Sequence, residues 1–68
     1  MQVLAASRQA VQIELSLTEL QLICNCLNEV CNGIDVPEFE TRLGVTPEFA
    51  DAFHAEVRGV IDATVSNQ

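Results

Sequence analysis

The chain has 68 residues, 49% hydrophobic and 4% aromatic, with 10 acidic against 3 basic side chains and a net charge of −7. It reads as a single small domain, 1–68, too apolar to be disordered and able to bury only about 60% of its unfolded surface. The charge opposes nucleic-acid binding, which rests on Lys and Arg, and the shortage of rings opposes base or sugar stacking.

Domains this small usually draw stability from disulfides, a metal or self-association. An acidic balance suits a solvated surface or a protein that meets a basic partner. The start Met1–Gln9 has no basic stretch followed by a long apolar core. No run reaches the ~18 apolar residues of a membrane span, so a cytoplasmic chain without membrane contact is expected.

Two β-like runs come first, Gln2–Ala6 and Ala10–Leu15, separated by Ser7-Arg8-Gln9. In the second, Val11, Ile13 and Leu15 alternate with Gln12 and Glu14, so one face is apolar and one wet. A hairpin is expected, although a loop of this length usually contains a left-handed residue and this one has no glycine. A two-stranded ribbon is marginal in water alone, so it packs on the helices or pairs with another copy.

The first helix is expected over Ser16–Gly33, with Ser16 and Glu19 spaced as a capping box and Gly33 as a left-handed stop. Leu20, Ile23, Cys24, Leu27, Val30 and Cys31 share a face that Leu22 and Cys26 widen to an arc of about 200°, against ~100° for an ordinary surface helix. A short second helix is expected within Ile34–Leu43, capped by Asp35, with Pro37 in its first turn, Glu38 at the box position and a Glu38–Arg42 pair. Gly44 ends it. Thr46-Pro47-Glu48 opens a third helix running to about Thr64, whose apolar stripe is Phe49, Phe53, Val57, Val60 and Ile61. Gly59 either weakens that helix or admits a close neighbour. Ser66-Asn67-Gln68 reads as a frayed tail. The fold class is therefore α+β: a short N-terminal β-ribbon followed by three helices, the last two arranged like a helix-turn-helix.

The runs CLNEVCNG and EFETRLGV, followed by an acid-rich amphipathic helix, resemble a group of short uncharacterised bacterial proteins. These share an L-N-E-V-x-x-G helix end and an E-F-x-T-R-x-G-V turn. The resemblance covers roughly Leu17–Ile61 and implies a bacterial cytoplasmic protein, bringing no activity, cofactor or partner with it.

Three cysteines within one helix do not form a secreted disulfide framework. Cys24 and Cys26 point about 160° apart, and Cys24 and Cys31 are ~10.5 Å apart along the axis, too far for one zinc ion or a disulfide. Cys24 and Cys31 read as small buried hydrophobes, and Cys26 as the accessible one. His54 lacks a partner on its own face and reads as a surface or boundary residue. Glu38 and Glu40 point to opposite sides of their helix, and no other pair suggests general acid–base catalysis. No catalytic, cofactor-binding or metal-ligating residue is assigned, and the chain reads as a non-enzyme.

The layout Glu38–Val57 is that of a helix-turn-helix, but its second helix begins Pro47-Glu48-Phe49-Ala50-Asp51, with carboxylates where phosphates would lie. A DNA-reading role is rejected, leaving a helix-turn-helix-like regulator or a DNA mimic as an alternative. The row Gln21, Asn25, Asn28, Asn32 is uncharged, unusual for a solvent face, and Asn is a mediocre helix former. With Val11, Ile13, Leu22 and Cys26 it forms the expected contact surface of a small, acidic, self-associating interaction or accessory protein, a homodimer with a possible protein partner. A further alternative is an enzyme whose site forms only between protomers.

Overall fold

Nine residues after the first β-strand begins, the chain has already reversed and paired with itself. A computed structural model describes residues 1–66, with β1 (Gln2–Ala6) antiparallel to β2 (Val11–Glu14). Then come α1 (Leu17–Asn28), a π turn (Glu29–Gly33) that continues it, α2 (Phe39–Leu43) and α3 (Pro47–Ser66). The architecture is α+β, an N-terminal ribbon followed by three helices.

The hairpin needs no glycine because Ser7 does the work of the turn. Its hydroxyl accepts from the backbone N–H of Gln9 (3.3 Å) and of Ala10 (3.2 Å), while the Ser7 N–H donates to the Ala10 carbonyl at 2.8 Å. In the ribbon Val3 faces Ile13 and Ala5 faces Gln12, leaving Leu4 as an extra, bulged residue. Without it Val3 and Ala6, three residues apart, would fall on opposite faces. The bulge instead gathers the Val3/Ile13 and Ala6/Val11 pairs on one apolar face and Gln2/Glu14 and Ala5/Gln12 on the other.

The capping box at the start of α1 forms as its spacing implies. The Glu19 N–H donates to Ser16 Oγ at 3.1 Å, and the Ser16 N–H donates to Glu19 Oε1 at 3.0 Å. Glu19 also receives the Met1 ammonium at 2.9 Å, which ties the base of the ribbon to the helix start. The hydrogen bond from the Ser16 backbone and the one from the ammonium hold the Glu19 carboxyl down to about 2.

Beyond Asn28 the helix widens, and the Ile34 N–H reaches the Glu29 carbonyl at 2.9 Å, five residues back. Gly33 therefore is not the left-handed stop that its position suggests. It lies inside the wide turn, where the Glu29 carboxylate folds over it and an added Cβ would stand 2.5 Å from Oε2. α2 departs from expectation as well. Asp35 does not cap it; the capping position is Glu38, left-handed at φ 53°, with no side-chain hydrogen bond to the helix start. Pro37 disfavours helical geometry at Val36, the residue before it, so a helix capped by Asp35 does not start there. Glu38 and Arg42 form no ion pair; among the described residues the one ion pair is Met1–Glu19. Gly44, at φ 77°, does take the left-handed stop.

Thr46 caps α3, its Oγ1 accepting from the Phe49 N–H at 3.1 Å. The helix reaches Ser66, so that residue is helical, not part of a frayed tail, while Asn67 and Gln68 lie outside the described residues. α3 packs along α1, and its buried stripe is Ala50, His54 and Val57. Of the expected stripe Val57 is buried and Ile61 half-buried, while Phe49, at 60%, Phe53, at 43%, and Val60 are turned outward. Ala50 is small enough to let the helix backbones approach, which a phenylalanine in its place would prevent. The whole forms a slab of 37 × 31 × 16 Å.

Three substitutions test this description. Glu19 has a folded pKa below its unfolded value, so its contribution is complete above about pH 4.5 and fades as pH falls towards 2. The stability gap between wild type and Glu19→Gln should therefore close across that window in denaturant titrations. Glu38→Asn relieves a left-handed strain and should raise stability by about 1 kcal/mol, read from the same titrations. At Gly59 a Cβ meets nothing within 4 Å. Gly59→Ala should accordingly stabilise the chain by about 1 kcal/mol and raise its melting temperature.

Candidate functional site

The apolar arc of α1 is wider than one neighbouring helix can cover. α3 takes one side of it, and Ile23, Cys24, Leu27, Val30 and Cys31 are left half-buried, with none sealed. On the side away from the amide row, Leu22, Ile23, Cys26, Leu27 and Val30 wall a groove of about 460 Å³ that Leu43, Val45 and Ala50 complete. Among the described residues no charged side chain lines it. Leu22, at its lip, is 63% exposed.

The ribbon presents the second uncovered apolar surface. All nine of its strand residues are exposed, on both faces, and no helix packs extensively against it. Val3, Val11 and Ile13 lie together on one face, with Ala6 beside Val11. Only Leu15 and Ser16 separate β2 from α1, so the ribbon starts at the N-terminal end of the helix, and among the described residues it packs extensively on no helix.

A second groove, of about 430 Å³, lies around the π turn. Its floor is apolar, from Val30, Ile34, Val36 and Phe39, and its rim carries Asp35, Glu48 and Asp51. Val30 belongs to both grooves. Sequence reasoning did not find either groove, because each needs Leu43, Val45 or Pro47 brought back against α1 from a distant part of the chain. The signal that was available is the pair Leu43 and Val45 flanking the left-handed Gly44.

Of the expected contact residues, Val11, Ile13, Leu22 and Cys26 are exposed and belong to these two apolar surfaces. Gln21, Asn25, Asn28 and Asn32 are exposed too, but they form a separate polar strip, in which Asn32 Nδ2 donates to Asn28 Oδ1 at 3.2 Å. That bond bridges the change from α to π geometry and explains one pair of the row without invoking a partner.

The cysteines are free, Cys26 exposed as expected and Cys24 and Cys31 half-buried instead of buried. His54 is the larger correction. It is 7% exposed, so it is a core residue of the α1–α3 contact, not a surface or boundary one. Its place follows from the rotation of α3 that buries Ala50 and Val57 one turn to either side. Among the described residues no three His, Cys, Asp or Glu side chains converge as a metal site would require. Nor is any helix among them long and apolar enough to cross a membrane.

Compared with known proteins, the chain matches no family model, no curated protein and no solved structure.

Proposed function

We propose that this chain is a small acidic interaction or accessory protein of the bacterial cytoplasm, which works as a homodimer and contacts a protein partner. The observation that carries the reading is its surface. A folded chain of 7.4 kDa is expected to expose about 4,200 Å², and this one exposes 5409 Å², an excess of about 1,200 Å². Its radius of gyration is 13.5 Å, against about 11 Å for a compact chain of this length. Much of the exposed area is apolar, on Leu4, Val11, Leu22, Phe49 and Val60 among others. Such a patchwork is characteristic of a protomer whose other half is missing.

Two copies that each hid the excess would bury about 2,400 Å² in all, within the range of obligate dimers. The acid-rimmed groove of Asp35, Glu48 and Asp51 suits a basic segment of a different protein. Two of these carboxylates, Glu48 and Asp51, stand at the start of α3, where a DNA reader would meet phosphates, and they argue against a helix-turn-helix regulator. Against an enzyme formed between protomers stands the burial of His54, which keeps the one imidazole of the chain away from any such junction.

Sedimentation equilibrium at micromolar concentration tests the reading. A species of twice 7.4 kDa is expected, and a clean monomer at that concentration overturns it.

A further inference from the structure

We infer that, in the dimer, the apolar face of each ribbon seats in the Leu22–Ala50 groove of the other copy. The inference rests on the self-association proposed above and names the surfaces that meet. Each surface lacks what the other supplies. The groove is concave and needs a ridge to fill it, so two grooves cannot satisfy one another. The ribbon is a ridge with nothing behind it, its Val3/Ile13 and Ala6/Val11 pairs open to water.

The dimensions agree. From Leu22 to Val30 the groove follows α1 for eight residues, about 12 Å. Along β2 the apolar face runs from Val11 to Ile13, about 7 Å between Cα atoms and some 10 Å with the side chains included.

Charge restricts where a second copy can dock. At a net charge of −7, two of these chains repel one another over most of their surface. The groove lining and the apolar ribbon face carry no ionised group, so they can meet without placing carboxylate against carboxylate. The competing ridge on α3, Phe49–Phe53–Val60, has Glu56 in its midst and would bring that charge into the groove. The chain's own ribbon contributes no residue to the groove lining and, among the described residues, packs extensively on no helix. Reciprocal exchange of ribbons puts the same two patches on both sides of a two-fold axis, so assembly closes at two copies.

Cys26 lines the groove and gives a direct probe. With Cys24→Ser and Cys31→Ser in the full chain, Cys26 is the sole thiol. Adding Ile13→Cys on the apolar face, under mild oxidation by diamide, should give a disulfide joining position 13 of one chain to Cys26 of the other, identified by peptide mass spectrometry. Gln12→Cys on the wet face should link at least about tenfold more slowly, because disulfides form only between Cα atoms ~4.4–6.8 Å apart. Circular dichroism before oxidation confirms that each variant is folded.

A second measurement needs no substitution. In the wild-type chain, alkylation of Cys26 should slow by about tenfold on passing from dilute monomer to dimer, as its access is lost. A dimer in which Cys26 alkylates as fast as in the monomer, or which links through Phe53→Cys and not through Ile13→Cys, overturns the assignment of surfaces and leaves self-association standing. A chain that sediments as a monomer overturns both.

Discussion

Thickness is the constraint on which everything else depends. At 16 Å through its shortest dimension the molecule is little more than one helix and its side chains deep. In such a layer an apolar residue can be covered on one side by a neighbouring helix, while its other side meets water. The consequence is visible residue by residue: Ala50 and Val57 are the buried hydrophobic side chains, and His54 joins them. Every other apolar group of the described chain stays at least partly wet. A layer of this kind is stable when something is laid on it, and small domains commonly solve the problem by pairing.

Within the layer the α1–α3 contact decides which surfaces remain. Three positions on α3, spaced four and then three, meet α1, and choosing Ala50 over Phe49 as the contact turns two phenylalanines outward. The same rotation draws His54 inward. Core composition and surface character are therefore one choice, made by the closeness with which two helices can approach. The grooves follow from it, since α3 covers only part of an arc that spans more than half the circumference of α1.

Much of this order was legible in the sequence wherever the physics is local. The capping box at Ser16 and Glu19, the Thr46 cap of α3 and the stop at Gly44 are short-range hydrogen-bonding or backbone matters, and each lies where its residues imply. The period-two alternation of β2 was equally plain. The turn at Ser7 was half legible, because a hydroxyl replaced the glycine that such loops normally use. What stayed hidden were features set by packing between distant segments: the rotation of α3, the burial of His54 and the two grooves. Periodicity names a stripe of large apolar residues, but it cannot tell whether a helix will offer that stripe or the smaller residues beside it. Asp35 failed as a cap for a related reason, since the backbone restriction imposed by Pro37 outweighed a favourable side chain two residues earlier.

One side chain, Val30, stands on the π turn and forms a wall of both grooves. The two are thus not separate compartments. Valine has a stiff χ1, so displacing its methyl groups means moving the turn that carries it, and a π turn is the least regular part of this helix. Any change in the position of Val30 alters the shape of both grooves. A substitution at Val30 therefore alters both surfaces at once, so no variant of that residue reports on one groove alone.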